Sequence, residues 1–212
     1  GGTLGEASTL LHDEKKELIQ TTVKLVNNKV PVLMNIAEQS TKAAIHAAQA
    51  AEQQGANALM LLPPMRYTAC SKETVAYISE VAQNTSLPLL IYNNPIDYKI
   101  EITLKMFDEL LKYDNIQAVK ESTRDITNVT RIINRFGDRL KVMTGVDTIA
   151  LESLLMGASG WIAGLVCAFP KETVAIYELQ KVGRIKEAIA LYRWFMPLLE
   201  LDINTKLVQN IK

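Results

Sequence analysis

The chain has 212 residues, 23 of them basic and 23 acidic, for a formal charge of zero. That length supports a substantial core, and zero net charge gives no electrostatic reason to bind nucleic acid or an anionic membrane. The longest uncharged stretch, residues 153–170, is too short to span a bilayer and is broken by Gly157, Gly160, Gly164 and Pro170.

In chain order, short apolar runs alternate with amphipathic stretches. The runs predict strands over 30–36, 56–62, 87–92, 116–120, 140–144 and 160–163. The stretches between them predict helices over 13–27, 41–54, 72–84, 103–113, 125–136 and 147–156, with further helical segments at 170–182 and 185–200. Thr41, ahead of the alanine run, and Thr103, ahead of Leu104, carry helix-entry chemistry. Strand followed by helix, repeated, implies right-handed βα units and a parallel sheet. A repeat of about 25–30 residues suits a (β/α)8 TIM barrel, although a doubly wound sheet has the same local pattern.

Counting favours the barrel, incomplete. Gly2-Thr3 reads as the end of a seventh strand, whereas a full barrel has eight strands and roughly 250 residues. The expectation is a single TIM-barrel domain over 1–212 that lacks its first strand–helix unit and its C-terminal helices, with helical segments from about residue 170. Cys70 and Cys167 fit no metal or disulfide spacing, which predicts a reducing, cytoplasmic setting.

Three residues at predicted strand ends could carry chemistry. Lys120 closes Ile116-Gln117-Ala118-Val119, Tyr92 closes Pro88-Leu89-Leu90-Ile91, and Thr3 sits in Gly2-Thr3-Leu4-Gly5-Glu6. Barrel enzymes keep their active sites at the carboxyl ends of strands, and partial burial there favours the neutral, nucleophilic amine of a lysine. Each residue alone has a plainer reading. A strand-end lysine is usually solvated, a strand-end tyrosine usually packs with a wet hydroxyl, and Thr3-Leu4-Gly5 alone is a turn. Asp147 reads as the cap of the following helix, Glu6 as a local cap or pair, and Tyr67 and Tyr98 as packing residues.

Taken together, Gly2-Thr3-Leu4-Gly5-Glu6, Tyr92-Asn93-Asn94-Pro95, Val119-Lys120-Glu121, Gly145-Val146-Asp147 and Gly157-Ala158-Ser159-Gly160-Trp161-Ile162 resemble the dihydrodipicolinate synthase / N-acetylneuraminate lyase family over essentially the whole chain. The resemblance implies a Schiff-base (β/α)8 barrel. Lys120 would condense with a 2-oxo acid such as pyruvate, Tyr92 would shuttle protons, and Thr3 would belong to the proton relay. Backbone amides at Thr3 and Leu4 would hold the substrate carboxylate, and Ile162 and Gly164 would shape the wall beside the Schiff base. It implies no cofactor and no metal, a homodimer or homotetramer, and no nucleic-acid or membrane partner.

Three positions depart from the synthase pattern. Leu4 replaces a second threonine, Asp97 stands where an arginine would hold the carboxylate of the aldehyde substrate, and Met65-Arg66 replace a tyrosine pair, leaving only Tyr67 to substitute. These changes argue for an altered second substrate. With Tyr192-Arg193-Trp194-Phe195-Met196-Pro197, the pattern is similar to a subgroup that includes 1-pyrroline-4-hydroxy-2-carboxylate deaminases. The alternatives are 4-hydroxy-tetrahydrodipicolinate synthase or another pyruvate-dependent aldolase, and a non-catalytic barrel that binds a small acid.

Overall fold

The computed structural model describes residues 1–64 and 68–212, and the chain divides into two compact units, Gly1–Val119 and Lys120–Lys212. The first unit runs α1 (His12–Val26), β1 (Leu33–Ile36), α2 (Thr41–Gln53), β2 (Ala58–Leu61), α3 (Ser71–Gln83), β3 (Leu89–Asn93), α4 (Pro95–Tyr98) and α5 (Leu104–Leu110). Strand β4 (Ile116–Glu121) begins in this unit and its last two residues open the next. The second unit continues with α6 (Ile126–Phe136), β5 (Lys141–Thr144), α7 (Ala150–Leu155), β6 (Gly160–Trp161), α8 (Pro170–Lys181), α9 (Ile185–Leu199) and α10 (Leu207–Ile211).

Sheet neighbours are consecutive in the chain, β1-β2-β3-β4-β5-β6. In the first unit β1 pairs with β2 and β2 with β3, all parallel, and Leu89 N donates to Asn115 O just before β4. In the second, Gly145 N donates to Glu121 O and β5 pairs parallel with β6. This is the expected parallel βα order. Among the described residues no seventh strand forms at the expected place: Gly2 and Thr3 enter a turn. Glu6 N donates to Thr3 O and Ala7 N to Gly2 O, so the backbone closes on itself instead of joining a ladder. Glu6 takes φ 52°, a left-handed conformation that tightens the turn.

The burial follows from sequence period. Leu59 and Leu61 of β2 are fully buried while Ala58 and Met60 alternate with them. Every residue of β3 is buried, as in a parallel strand covered on both faces. Helix α2 buries Ala44, Ala48 and Ala51, small side chains on one stripe that let its backbone approach the sheet. Its N-cap is Ser40, not Thr41: the Ser40 hydroxyl accepts from Ala43 N, because Ser40 holds the extended backbone a cap requires. Thr103 caps α5 as expected, accepting from Met106 N. In the second unit Leu151, Leu165, Ile176, Ala188, Tyr192, Phe195 and Leu199 form one apolar cluster that ties α7, α8 and α9 together. Each large side chain buried there contributes about 1.5–3 kcal/mol.

Candidate active site

Thr3, Leu4 and Tyr92 belong to the first unit, and Lys120, Ile162 and Gly164 to the second. Tyr92 is the penultimate residue of β3 and Lys120 the penultimate residue of β4, so both occupy carboxyl ends of parallel strands.

Around Tyr92 the Tyr-Asn-Asn-Pro run is a hydrogen-bonding device. Asn93 is fully buried. Its Oδ1 accepts from Ile102 N at 2.9 Å, and its Nδ2 donates to Ile102 O at 3.3 Å, pinning the strand end to the segment ahead of α5. Asn94 caps α4: its Oδ1 accepts from Asp97 N at 3.1 Å, and Pro95 occupies the first helical turn, where a missing N–H costs nothing. The Asn94 Nδ2 donates to the Asp97 carboxylate at 2.7 Å and to the Tyr92 hydroxyl at 3.3 Å.

Thr3 reaches this group through a residue that sequence alone assigned to packing. Its Oγ1 lies 3.3 Å from the Tyr98 hydroxyl, and the Tyr98 ring meets Tyr92 edge-on with centroids 5.4 Å apart. Burial, followed by the neighbouring Tyr92, pushes the Tyr98 phenol up to about 12. Tyr98 is therefore both a packing partner and a polar link. Leu4 is half-buried in the turn beside Thr3. Met65, Arg66 and Tyr67, where a departure from the synthase pattern was noted, lie outside the described residues.

In the second unit Lys120 is half-buried against Gly145, whose Cα leaves no room for a side chain beside it. Glu121 is buried and accepts from Thr123 N at 2.7 Å and Asn128 Nδ2 at 2.9 Å, which fixes the loop that leaves β4. Ser122 is buried next to Gly145, with no hydrogen-bond partner for its hydroxyl among the described residues.

Asp147 does not cap the helix after it. Its fully buried carboxylate turns instead to the end of β6. It accepts from Trp161 Nε1 at 2.9 Å, Gly164 N at 3.1 Å and Leu165 N at 2.7 Å. The vacant cap is filled by Tyr192, whose phenol accepts from Ala150 N at 3.0 Å and donates to Asp147 O at 2.7 Å. Ile162 N donates to Thr144 O, so Ile162 and Gly164 are held by β5 and by Asp147 respectively. A second acid completes the cluster: the Asp202 carboxylate accepts from Asp147 N at 3.2 Å.

Burial pushes both carboxyl groups of this pair up, and Lys120 opposes the shift at each. Asp147 receives three donors and Asp202 one, so the anion settles on Asp147 while Asp202 rises to about 6. Asp202, Tyr192 and Tyr98 are site residues that sequence reasoning did not select. Only the Tyr192 segment carried a signal, as part of a subgroup pattern.

The Dihydrodipicolinate synthetase family matches residues 1–212. The chain is 32% identical over 197 residues to a 4-hydroxy-tetrahydrodipicolinate synthase of Clostridium perfringens, covering 93% of this chain and 68% of that one. A solved 4-hydroxy-tetrahydrodipicolinate synthase from Methylacidiphilum fumariolicum superposes with a TM-score of 0.93 at 27% identity, covering 97% of this chain and 69% of the other. A dihydrodipicolinate synthase from Acinetobacter baumannii, solved in complex with pyruvate, gives 0.91 at 25% identity, with 97% and 70% covered.

Proposed function

The chain belongs to the dihydrodipicolinate synthetase family of class I Schiff-base lyases, and from that premise we propose that Lys120 forms the Schiff base with a small 2-oxo or cyclic imino acid, assisted by Tyr92 and Thr3. Support comes from the placement of Lys120 at a strand's carboxyl end, half-buried beside a glycine. Its amine would add to a C=O or C=N carbon, and the resulting iminium would acidify the neighbouring carbon. Leu4 would contribute its backbone amide to the substrate carboxylate, and Ile162 and Gly164 the wall beside the adduct.

The narrower reading is a deaminase acting on 1-pyrroline-4-hydroxy-2-carboxylate. Lys120 would attack the ring C=N carbon. Loss of the hydroxyl through an enamine, followed by hydrolysis, would release ammonia and an oxo-acid semialdehyde. The observation that carries it is Asp97. Its carboxylate is engaged with Asn94, and a carboxylate there repels a second anionic substrate. A deaminase needs no such substrate.

A second reading is a pyruvate-dependent synthase or aldolase. It is supported by the synthase activity of the relatives and by the pyruvate bound to the Acinetobacter enzyme. One experiment separates the two. The full-length protein is offered each candidate substrate, ammonia and pyruvate are measured in parallel, and borohydride traps the intermediate for peptide mapping. Ammonia release with an adduct on Lys120 is expected. Pyruvate release without ammonia would favour the aldolase, and an adduct on another lysine would overturn the assignment.

A further inference from the structure

We infer that Tyr192 is a positioning residue for the site: its phenol takes over the helix cap that Asp147 would otherwise supply, which leaves the Asp147 carboxylate to hold the end of β6 and so to set the room for a substrate side chain beside Lys120. The inference rests on the Schiff-base reading above, in which Ile162 and Gly164 wall the adduct.

The competition between the two caps follows from spacing. An aspartate at position 147 that capped α7 would accept the N–H three residues on, that of Ala150. In the structure this N–H donates to the Tyr192 phenol at 3.0 Å, and the phenol donates its own hydrogen to Asp147 O at 2.7 Å. One hydroxyl thus serves the start of the helix and the main chain of the residue it replaces as cap. Burial pushes the phenol pKa up, so Tyr192 keeps the hydrogen that it gives to Asp147. The ring is held in turn by the apolar cluster around Leu151, Leu165 and Ile176.

The carboxylate that is released divides its work unequally. Its Oδ1 accepts from Trp161 Nε1 and Gly164 N, and its Oδ2 accepts from Leu165 N. The Asp147 N–H goes to Asp202. All the polar groups of Asp147 are therefore engaged by residues distant in sequence. Asp147 lies two residues beyond Gly145, against whose Cα the Lys120 side chain rests. The three residues 145–147 join the bed of the lysine at one end to the latch on β6 at the other.

Without the hydroxyl, the Ala150 N–H loses its side-chain acceptor. Oδ1 has two donors and Oδ2 one, so Oδ2 is the oxygen that Ala150 can draw away, one hydrogen bond against one. Leu165 is the donor that loses, and Gly164 beside it loosens.

The test uses the full-length protein, with pyruvate and the longer 2-oxobutyrate as probes trapped by borohydride, and hydrogen exchange read by NMR. Tyr192→Phe keeps the ring in its cluster and removes the hydroxyl. Exchange should quicken about tenfold or more at Leu165 and less at the Trp161 indole. The adduct should still map to Lys120, with the ratio of pyruvate to 2-oxobutyrate adduct reduced about fivefold or more. Asp147→Asn leaves the Tyr192 cap in place but sets an amide against the Leu165 N–H, so it should lower the same ratio while Ala150 stays protected. This second variant keeps the link between latch and selectivity testable if Tyr192→Phe folds poorly. An unchanged ratio, or exchange quickened evenly over α7, α8 and α9 instead of centred on Leu165, would overturn the role of Tyr192 while leaving the Schiff base intact. Failure of the wild-type protein to form any adduct at Lys120 would overturn both.

Discussion

Gly145 lies so close to Lys120 that a methyl group on its Cα would stand 2.6 Å from Lys120 Cε and 2.7 Å from Lys120 Cγ. The same methyl would also collide with Ser122 Oγ. Contacts at two points along the lysine cannot be relieved by moving its tip alone, and the Gly145 backbone is tethered by its bond to Glu121 O. Gly145→Ala should therefore displace the amine. Borohydride-trapped adduct should fall at least about tenfold, with about 1–3 kcal/mol of stability lost to overpacking. Adding Ser122→Ala should return part of the stability but not the adduct, since it removes only the serine clash.

Replacing Asp147 by Ala should strand the Trp161, Gly164 and Leu165 donors in a buried site. Each orphaned donor costs about 1–3 kcal/mol, so a total loss of about 3 kcal/mol or more is expected in urea unfolding. Asp147→Asn should cost less, because one oxygen still accepts, but its amide meets the Leu165 N–H donor to donor. A loss under about 0.5 kcal/mol in the alanine variant would show that the β6 end is held by other means.

Asp202 makes stability depend on pH with a defined sign. Its carboxyl rises to about 6 in the folded state from an ordinary value near 3.8. Between those values the folded chain binds more protons than the unfolded one, so this group lowers stability as pH rises through the window. The penalty is complete above about pH 6 and absent below about pH 4. Asp202→Asn should thus stabilise the protein at pH 7 by about 1–2 kcal/mol and be neutral at pH 4, where the carboxyl is protonated anyway. Paired urea titrations at the two pH values test this, and equal effects at both would rule out the shifted acid.

Asn93 offers a test of the Tyr-Asn-Asn-Pro turn apart from chemistry. Asn93→Ala removes both bonds to Ile102 inside a fully buried site and should cost about 2–3 kcal/mol. Asn93→Asp keeps the acceptor but turns a carboxylate oxygen toward the Ile102 carbonyl, and should be at least as damaging. Denaturant midpoints of the three proteins check the order.

Local pattern carried the order of strands and helices, because apolar period is set residue by residue. Its limits show where backbone groups find tertiary partners. The run 30–36 yields a strand only from Leu33, since Pro31 lacks an N–H and Val30 is exposed. The run 160–163 yields only Gly160–Trp161, because the N–H groups of Gly164 and Leu165 turn to Asp147. Thr3-Leu4-Gly5 taken alone reads as a turn, and the structure has one there; only the strand placed just ahead of it did not follow, as nothing in Gly-Thr-Leu-Gly-Glu fixes what precedes the loop. Asp147 carries a standard local reading, a cap, that contacts far along the sequence replace, while Tyr98 keeps its packing role and gains a polar contact with Thr3. Thr3 and Tyr98 are 95 residues apart, and no local window relates them.

The indole hydrogen that Trp161 gives to Asp147 also makes this chain optically informative. The sequence has two tryptophans, and Trp194 is largely exposed, so its emission is that of an indole in water. With Trp194 exchanged for Phe, the remaining fluorophore would sit against a buried anion one residue from Ile162. Its colour and quenching would then register, without any label, whether the β6 end stays latched while substrate arrives and leaves.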